Sequence, residues 1–513
     1  MIASVRPSLS DFEKLAARGN LIPVSCEILA DQDTPVSAYQ KMRQGQHAFL
    51  LESVEGGERW ARYSFLGTGV SSIFRSRGPY VEIFDKNKRV FRGEVGDPFR
   101  RFRDHMKRYR PVPVPDMPRF YGGAVGYIGY DAIRFFERLP ERARQSLDVW
   151  DIYLVLSESL LVFDNVRHTI RVLSCCFLSE FPSVRAAYQS TLGRIERTIR
   201  RLRSAGNESA RRGAPREPGT LRISSNMSRQ GYLEAVRRAK RHVRAGDVIQ
   251  VVLAQRLQVE EALDPWCLYR ALRTVNPSPY MFLLQFPDYA LVGSSPEVLV
   301  RVEDRQVEVR PIAGTRPRGA DLRSDRRLEE DLRRSVKEIA EHIMLVDLGR
   351  NDVGRVSAPG TVEVAEFMTV ERYSHVMHLV SHVKGRLTGG KDCFDAFRAC
   401  FPAGTLTGAP KIRAMEIVET LEPDRRGPYG GAVGYFGFSG NMDMAIAIRT
   451  ILAMPETLHF QVGAGIVADS RPEREYQECL NKARALVKAI QMARHGLVPQ
   501  SAGEDGVVYD AGD

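Results

Sequence analysis

Hydrophobic and polar residues alternate in short runs along the first third of the chain, and glycine and proline separate these runs. The runs are HAFLLESVEG from His47, RYSFLGTGVSSIF from Arg62, YVEIFD from Tyr80 and WDIYLVLSESLLVFD from Trp150. Their β-branched and aromatic residues predict β-strands. From about Ser183 to Arg203 the apolar spacing becomes helical, and this pattern predicts one long helix.

A second unit begins after a segment that has no apolar period. The stretch SAGNESARRGAPREPG from Ser204 is interrupted by Gly, Pro and Ser and predicts a linker. Ser228 is a candidate N-cap for the helix RQGYLEAVRRAKRHVRAG, which Gly246 would end. Strands and helices then mix to about Gly496, before the acidic tail SAGEDGVVYDAGD. The predicted units are a domain at 1–203, a linker at 204–222, a second domain at 223–496 and a tail at 497–513.

One segment occurs twice in the chain. YGGAVGYIGY begins at Tyr121, and YGGAVGYFGF begins at Tyr429. Alternating aromatic and Gly residues are typical of strands that another backbone or a ligand approaches closely. A duplicated structural hairpin explains the repeat, and we favour that interpretation for the copy at Tyr121. The copy at Tyr429 stays open as a candidate for chemistry.

The composition excludes several classes of protein. No stretch reaches the roughly 18 apolar residues of a membrane span, and the N-terminus lacks a signal-peptide core, so we expect an unprocessed cytoplasmic protein. The seven cysteines form no Cys-x-x-Cys pair, which favours free thiols over disulfides or structural zinc.

The net charge of +11 raises the question of a nucleic-acid partner. Much of the excess lies in Arg-rich helical stretches such as 194–203, and basic runs without interleaved aromatics are usually solvated faces. Because no nucleic-acid-binding motif is present, we predict no nucleic-acid partner. A positive field would instead suit a small anionic substrate.

Two Glu-x-x-Glu pairs lie in helical contexts. Glu338 and Glu341 form one pair, and Glu475 and Glu478 form the other. The spacing of three places both carboxylates of a pair on one helix face. Two such faces that met would gather four oxygen donors, a set that suits Mg²⁺ better than zinc. Exposed acidic turns paired with Arg or Lys explain the spacing equally well, and that alternative stays open.

Two glycine-rich segments are candidate anion-binding loops. The segment FPAGTLTGAPK from Phe401 resembles a phosphate cradle, but Lys411 follows Ala-Pro, so the P-loop pattern is not satisfied. A Gly/Thr loop before a helix can still bind a carboxylate through backbone N–H groups. The segment QVGAGIVADS offers the same through Gly463 and Gly465.

Single charged residues in apolar runs complete the set of candidates. Arg449, in MAIAIRTILAM, would be costly to bury without a partner, which would be either a ligand carboxylate or an internal Asp or Glu. His378, in YSHVMHLVSHV, is of a kind more often found as a satisfied core residue than as a catalyst. The residues alone indicate an enzyme with a Mg²⁺ site and anion-binding loops for a small polycarboxylate.

Five segments resemble signatures of the chorismate-utilising enzymes, and most closely those of anthranilate synthase large subunits. They are PIAGTRPRG from Pro311, DLGRNDVGRVS from Asp347, AGTLTGAPKIRAMEIV from Ala403, YGGAVGYF from Tyr429 and GAGIVADSRPEREYQE from Gly463. The resemblance covers about Glu27 to Ala489. It implies an α+β fold with large antiparallel β-sheets packed together and helices around them, which the periodicity does not indicate.

The resemblance also implies roles for individual residues. Metal ligands fall on Glu341 and Glu478, and Glu338 and Glu475 lie beside them as supporting carboxylates. Glu297, in GSSPEVLV, matches a glutamate that protonates the departing C4 hydroxyl of chorismate. The other matching positions are Gly314, Thr315, Tyr429, Arg449, Gly463, Ala464 and Gly465 for the substrate, and His378 and Thr405 for catalysis, with His378 in the later elimination.

The implied reaction is the Mg²⁺-dependent synthesis of anthranilate and pyruvate from chorismate and ammonia, the first committed step of tryptophan biosynthesis. Mg²⁺ would hold the ring carboxylate, and Arg449 with a glycine loop would hold the enolpyruvyl carboxylate. No cysteine lies in a glutaminase-like turn. The family therefore implies a separate glutaminase subunit that supplies ammonia within a hetero-oligomer.

Two positions discriminate among the members of the family. Isochorismate and salicylate synthases carry a lysine that activates water, and the matching residue here looks like Gln250. Aminodeoxychorismate synthases typically have a nucleophilic lysine in PIKGT, where this chain has Ala313. Both favour anthranilate synthase. The alternatives are an aminodeoxychorismate synthase large subunit, and a non-catalytic tryptophan-sensing or nucleic-acid-binding protein on this fold.

The N-terminal domain resembles a regulatory domain. LLES at Leu50–Ser53 and NPSPYMF at Asn276–Phe282 are similar to the family's site for feedback inhibition by L-tryptophan. Ordinary strand and turn segments, in which prolines fix a loop, are the alternative. The implied contacts to L-tryptophan are Ser53, Pro279, Tyr280 and Met281.

Overall fold

The computed structural model describes residues 5–43, 45–54, 62–204, 220–373, 376–497 and 507–509. Most of the predicted linker at 204–222 and of the predicted tail at 497–513 lies outside these residues. None of the helices in the described ranges is both long and apolar enough to span a membrane. The seven cysteines are all free, as predicted.

Twenty-four strands are present in the part of the chain that the structure describes. They are β1 (Val5–Arg6), β2 (Leu21–Leu29), β3 (Ala48–Glu52), β4 (Tyr63–Arg77), β5 (Tyr80–Asp85), β6 (Lys88–Glu94), β7 (Gly123–Ile128), β8 (Ile152–Asp164), β9 (Thr169–Phe177), β10 (Leu221–Ser225), β11 (Gln250–Val259), β12 (Tyr280–Gln285), β13 (Ala290–Ser295), β14 (Val298–Glu303), β15 (Gln306–Val309), β16 (Ile312–Pro317), β17 (Glu363–Arg372), β18 (Val376–Arg386), β19 (Gly408–Ala409), β20 (Ala432–Gly437), β21 (Met442–Ile446), β22 (Thr450–Ala453), β23 (Leu458–Ile466) and β24 (Val507–Tyr509).

The helices flank these strands along the described chain. They are α1 (Leu9–Ala16), α2 (Pro35–Met42), α3 (Pro98–Met106), α4 (Val184–Leu202), α5 (Arg229–Arg244), α6 (Pro265–Val275), α7 (Leu322–Arg334), α8 (Val336–Gly354), α9 (Cys393–Cys400), α10 (Gly404–Thr407), α11 (Lys411–Leu421) and α12 (Pro472–Arg494), with 3₁₀ turns at Tyr130–Phe135 and Leu178–Glu180.

The elements predicted from local patterns are present. The four alternating runs form β3, β4, β5 and β8, and the helical stretch after them forms α4. The Ser228 hydroxyl accepts a hydrogen bond of 3.1 Å from the Gly231 N–H and caps α5. Gly246 follows that helix with a φ of +80°, the left-handed conformation that glycine adopts at helix ends.

Strands β4 and β8 connect two large antiparallel sheets. In the first sheet the order is β1-β2-β9-β8-β4-β3-β12-β13-β22-β23-β11, with β10 and β19 on β11. In the second it is β8-β7-β20-β21-β14-β15-β18, with β16 and β17 on β18. A register shift between Val70 and Ser72 lies where β4 passes from one sheet to the other.

Apolar side chains between and outside the sheets hold the layers together. Phe282 of β12 and Tyr435 of β20 belong to one cluster, so the two sheets face each other. Trp266 of α6 and Leu486 of α12 pack against the outer face of the first sheet. Phe397 of α9 packs against the outer face of the second. The predicted α+β class, with packed antiparallel sheets and helices around them, is confirmed.

The two copies of the repeated segment pair with each other. They form β7 and β20, neighbouring strands in the second sheet, and Gly126 lies opposite Gly434. These glycines occupy the same position in each copy, so an approximate two-fold axis relates the two strands. A Cβ atom on either would lie 2.0 Å from a backbone carbonyl oxygen of the next strand. The close approach of neighbouring backbones explains the repeat's glycines.

Candidate active site

Glu297 lies in the turn between β13 and β14, at the centre of the candidate active site. Its Oε2 accepts a hydrogen bond of 3.0 Å from the Thr405 hydroxyl. Burial raises the pKa of the Glu297 carboxyl, although the Thr405 hydroxyl and two nearby positive charges act in the opposite direction. Those charges belong to Lys482 and Arg449. An acid with a raised pKa keeps its proton to higher pH and can deliver it to a leaving group.

The short helix α10 places Thr405 against Glu297. It ends at Thr407, and the next residue, Gly408, has a φ of 126° that is strained for any residue with a side chain. A Cβ atom on Gly408 would lie 2.1 Å from a backbone carbonyl oxygen of β11, so the backbone that follows α10 packs directly against β11. The following lysine, Lys411, donates to Asp352 at 2.8 Å. This pairing agrees with the rejection of a P-loop.

Arg449 lies in the turn between β21 and β22, close to Glu297. Its φ of 50° is a left-handed conformation that is unfavourable for a non-glycine residue. Its Nη1 donates 2.6 Å to the backbone carbonyl of Lys482, and burial lowers its pKa. No carboxylate forms an ion pair with this guanidinium within the described residues. A buried guanidinium in this state is suited to an anionic ligand.

Gly463, Ala464 and Gly465 lie on β23, which pairs with β11. A Cβ atom on Gly463 would lie 2.7 Å from a backbone carbonyl oxygen of β11 and 3.0 Å from the Tyr429 hydroxyl. A Cβ atom on Gly465 would lie 2.2 Å from Nε2 of Gln250. Ala464 packs into the core on the opposite face, so only its backbone is available to a ligand. Both positions therefore need glycine, because a side chain would collide with β11, Tyr429 or Gln250.

His378 of β18 lies opposite Thr315 of β16. Its Nδ1 is 2.9 Å from the Gly314 carbonyl oxygen and 3.1 Å from the Thr315 hydroxyl. Because a carbonyl oxygen only accepts, this contact assigns the proton to Nδ1 and leaves Nε2 free to accept one. Burial lowers the pKa of His378, which favours the neutral ring. Gly314, with a φ of 68°, breaks the strand register beside it.

The two Glu-x-x-Glu pairs lie on helices α8 and α12, as predicted. Burial raises the pKa of Glu341, and the negative charges of Glu338 and Glu478 raise it further. Burial also raises the pKa of Glu475, again with a contribution from Glu478. These mutual effects show that carboxyl groups from two helices face one region. Glu338 borders strand β16, because its Oε2 is 3.3 Å from a Cβ atom built on Gly314.

The carboxylates of the two Glu-x-x-Glu pairs are chemically suited to a hard divalent cation. No three acidic, His or Cys side chains converge closely enough to hold a metal as they stand, within the residues described. Glu338 Oε1 lies 3.3 Å from Arg316, and Glu478 Oε1 lies 2.7 Å from Lys482. All the donors are carboxylate oxygens, the set that Mg²⁺ prefers. A divalent cation would also offset their mutual repulsion.

Lys482 is a site residue that the sequence analysis did not identify. Its Nζ donates 2.8 Å to the Gly463 carbonyl and forms an ion pair of 2.7 Å with Glu478. Its backbone carbonyl accepts the bond from Arg449. Lys482 therefore connects the acidic helix α12, which carries Glu478, with Arg449 and with β23, the glycine strand that carries Gly463 and Gly465. Its position four residues after Glu478 on a helix was the available signal, because side chains at that spacing contact each other.

A separate cavity contains all four residues predicted to contact L-tryptophan. Its empty space, counted together with its opening to solvent, is about 520 Å³. The predicted contacts among its lining residues are Ser53, Pro279, Tyr280 and Met281, and the others include Leu51, Glu52, Phe65, Arg119, Phe282, Arg301, Val433, Gly434, Tyr435, Asp443 and Ala445.

The polar groups at the cavity differ in how many hydrogen bonds they form. Asp443 accepts hydrogen bonds of 3.0 Å from the Tyr280 hydroxyl and 3.0 Å from Arg301, and lies 3.5 Å from Arg119. The Ser53 hydroxyl is buried and has no hydrogen-bond partner among the described residues. An unsatisfied buried hydroxyl costs about 1–3 kcal/mol. A polar ligand in the cavity would remove that cost.

Three hydrogen bonds connect the cavity with Arg449. The N–H of Val54, next to Ser53, donates 3.4 Å to the Ser278 carbonyl. The hydroxyls of Ser278 and Ser294 are 2.8 Å apart. The backbone N–H of Ser294 donates 3.1 Å to the Arg449 carbonyl. These bonds link the cavity wall to the backbone of Arg449 through Ser278 and Ser294.

Similar proteins match nearly the whole chain. A family described as chorismate binding enzyme matches residues 47–488. Anthranilate synthase component 1 of Aquifex aeolicus is 46% identical over 95% of this chain and 98% of its own. The protein of the same name from Pseudomonas putida is 49% identical over 94% and 98%. The crystal structure of anthranilate synthase component I from Streptococcus pneumoniae matches with a TM-score of 0.75 and 35% identity, over 90% of this chain and 98% of that one.

Proposed function

The chain belongs to the chorismate binding enzymes and, within them, to the anthranilate synthase component 1 proteins, and from this premise we propose that it forms anthranilate and pyruvate from chorismate and ammonia with Mg²⁺. The reaction is the first committed step of tryptophan biosynthesis. The numbering in the names of the relatives implies a second component, so we propose that the chain acts within a hetero-oligomer.

One observation carries the proposal: a buried acid, an arginine that pairs with no carboxylate of the described residues, and a group of carboxylates lie around one site. Chorismate has two carboxylates and a C4 hydroxyl that must leave. We assign the enolpyruvyl carboxylate to the guanidinium of Arg449 and the backbone at Gly463 and Gly465. A planar guanidinium can hold a carboxylate through two parallel hydrogen bonds. The Tyr429 hydroxyl borders the same space.

Glu297 is the proposed general acid. It donates a proton to the C4 hydroxyl, which leaves as water while ammonia adds at C2. Burial favours the protonated form, and the Thr405 hydroxyl orients the carboxyl group. His378 is the proposed base of the second step, in which its Nε2 takes the proton from C2. The C3–O bond then breaks, the enolpyruvyl group leaves as pyruvate, and the ring becomes aromatic.

Glu341 and Glu478 are the proposed ligands of Mg²⁺, with Glu338 and Glu475 as supporting carboxylates. When bound, Mg²⁺ would hold the ring carboxylate of chorismate and draw electron density from the ring. Lys482 already contacts Glu478 and the Gly463 carbonyl, so it keeps the acidic helix aligned with the glycine strand. The substrate would then be held at both of its carboxylates.

Two positions favour this reaction over the related ones. Ala313 of β16 carries no amine, so the covalent route of an aminodeoxychorismate synthase has no nucleophile at this position. Gln250 lies against Gly465, and an amide cannot take a proton from water as a lysine amine does. The hydrogen bond between Thr405 and Glu297 argues against a non-catalytic protein, because a sensing role gives no reason to orient a buried acid.

Ammonia is the proposed nitrogen source for the chain alone. A glutaminase needs an activated nucleophile, usually a cysteine with a lowered pKa. Burial raises the pKa of all seven thiols in this chain, so none has the character of an activated thiolate. We therefore propose that a separate glutaminase subunit docks and delivers ammonia.

L-Tryptophan is the proposed inhibitor, bound in the cavity that contains Ser53. Apolar walls suit an indole ring, and the Ser53 hydroxyl, which has no hydrogen-bond partner in the described part of the chain, suits a polar group of the amino acid. The hydrogen bonds through Ser278 and Ser294 would then transmit to Arg449 the structural change that tryptophan binding causes at the cavity wall. Coupling between two such sites is typically worth about 1–3 kcal/mol.

The test of the proposed reaction is a fluorescence assay for anthranilate. The purified chain is mixed with chorismate, Mg²⁺ and ammonium at alkaline pH, and anthranilate is expected to accumulate. Glu297→Gln keeps the shape of the side chain but removes the acid, and should slow the reaction about 100-fold or more. Glu456→Gln, at an exposed position, is the matched control and should keep the wild-type rate. Failure of the wild type to form anthranilate would overturn the proposal.

A further inference from the structure

Behind the active site, Arg426 and Glu422 form an ion pair that is almost completely removed from solvent. Their side chains are 2% and 4% exposed. Arg426 donates to both carboxylate oxygens of Glu422, at 2.8 and 2.6 Å. Removing two charges from water is costly, and a buried pair is tolerated only when its remaining hydrogen-bonding groups are satisfied.

The pair completes the free edge of strand β11. Glu422 Oε1 accepts a hydrogen bond of 2.9 Å from the Ala254 N–H, and Arg426 Nη2 donates 2.9 Å to the Val252 carbonyl. These two strand residues lie opposite the two glycines of β23 that face the site. The ion pair therefore bonds to β11 as a neighbouring strand would, and it does so at the register of the glycine strand.

Arg426 also reaches two other parts of the site. Its Nη1 donates 2.6 Å to the carbonyl of Leu406, the residue after Thr405 on α10. Its guanidinium lies 5.7 Å from the ring centroid of Tyr429 and 4.6 Å from that of Tyr130. One side chain thus contacts β11, the helix that carries Thr405 and the ring of Tyr429.

We propose that Glu422 and Arg426 form a positioning pair for the reaction. The pair keeps the Thr405 hydroxyl within hydrogen-bond distance of Glu297. It also keeps the glycine strand and the ring of Tyr429 in place at the proposed substrate site. The inference rests on the proposed function, which assigns Thr405 and Glu297 to the proton transfer. A pair that served only folding would contribute to stability and not specifically to turnover.

The chain contains a control pair whose glutamate lies on α11, just before Glu422. Glu419 precedes Glu422 by three residues and forms an ion pair of 2.6 Å with Arg134, with side chains 9% and 13% exposed. Like Glu422, it accepts backbone N–H groups, here those of Arg142 and Ala143. That loop carries no candidate site residue. Both are buried Arg–Glu pairs that bond to backbone, although Arg426 donates to both oxygens of Glu422 and Arg134 to only one oxygen of Glu419. Of the two, only the Arg426 pair contacts elements of the candidate site.

The experiment compares Arg426→Lys with Arg134→Lys. Lysine keeps the charge but cannot donate to several acceptors from one plane. Thermal unfolding should show a loss of stability in both variants. Turnover with saturating chorismate and ammonium should fall about tenfold or more in Arg426→Lys, because small displacements of catalytic groups are costly. Arg134→Lys should keep wild-type turnover, and equal kcat values in the two variants would overturn the proposal.

A double variant tests whether Arg426 acts through Thr405. When Thr405→Val is already present, Arg426→Lys should lower kcat by no more than about twofold, because coupled residues are not additive. Independent effects would multiply, and that result would reject the positioning role. If either lysine variant fails to fold, Glu422→Gln and Glu419→Gln give the same comparison.

Failure of the proposed function leaves a different signature. A wild type that forms no anthranilate refutes the reaction, and chorismate affinity measured by calorimetry then becomes the readout. Weaker chorismate binding in Arg426→Lys than in Arg134→Lys would still support the positioning of Tyr429 and the glycine strand. Equal affinities in the two variants would reject it.

Discussion

Replacing Arg449 by lysine keeps the positive charge and removes the planar guanidinium, so it isolates the contribution of paired hydrogen bonds. In the structure Nη1 is already engaged with the Lys482 carbonyl at 2.6 Å. The other N–H groups form no ion pair with a carboxylate of the described residues and are available to a substrate carboxylate. A lysine ammonium presents a point charge and cannot reproduce two parallel bonds.

The expected loss is one charge-assisted hydrogen bond, about 1.5–3 kcal/mol. Because 1.4 kcal/mol corresponds to about a factor of ten, KM for chorismate should rise about 10- to 150-fold. The carboxylate is held equally in the bound substrate and in the transition state. Losing such uniform binding raises KM and leaves kcat nearly unchanged.

Initial rates of anthranilate formation over a range of chorismate concentrations give kcat and KM separately. Arg305→Lys is the matched control, because Arg305 also has a left-handed φ, of 66°, and donates to two backbone carbonyls at 3.1 and 3.0 Å. It lies in the β14–β15 turn and should keep the wild-type KM. An unchanged KM in Arg449→Lys, or a loss confined to kcat, would refute the assignment of Arg449 to a substrate carboxylate.

Three further predictions concern the metal, the inhibitor and the glycine strand. Glu341→Gln and Glu478→Gln should each raise the Mg²⁺ concentration for half-maximal rate about tenfold or more, because a hard-cation site loses a charged ligand; unchanged Mg²⁺ titrations in both would contradict the metal assignment. L-Tryptophan should raise KM for chorismate, and Ser53→Phe should relieve this by filling the cavity; a wild type that binds no tryptophan in calorimetry would end the effector assignment. Gly463→Ala should lose more activity than Gly465→Ala. The Cβ atom at 463 would lie 2.7 Å from a backbone oxygen of β11, whereas the Cβ atom at 465 would meet the flexible end of the Gln250 side chain. Equal losses in the two variants would show that the contact between β23 and β11 is unimportant for activity.

Features encoded in short segments could be predicted from the sequence. The alternation in 62–74 and 150–164 indicates β4 and β8, because side chains on a strand point to alternate faces. Ser228 and Gly246 mark the ends of α5 through bonds and dihedral angles that are local. The sequence shows that YGGAVGY occurs twice, but it does not show that the copies pair. That pairing depends on the fold as a whole. The predicted domain limits at 203 and 223 remain predictions.

The assembly of the site could not be predicted from spacing alone. Thr405 and Glu297 lie 108 residues apart, and nothing near either one indicates their hydrogen bond. The Glu-x-x-Glu spacing places two carboxylates on one face, but only the packing of α8 and α12 brings Glu341 close to Glu478. Lys482 was missed because its partners, Glu478 apart, are backbone groups, which leave no mark in the sequence.

The central claim is tested most directly by identifying the products that the purified single chain forms from chorismate. With Mg²⁺ and ammonium as the nitrogen source, anthranilate and pyruvate should appear in equal amounts, faster at alkaline pH where more ammonia is unprotonated. With glutamine as the nitrogen source and no second protein, neither should appear. Accumulation of isochorismate or aminodeoxychorismate as the end product, or robust anthranilate formation from glutamine by this chain alone, would contradict the account.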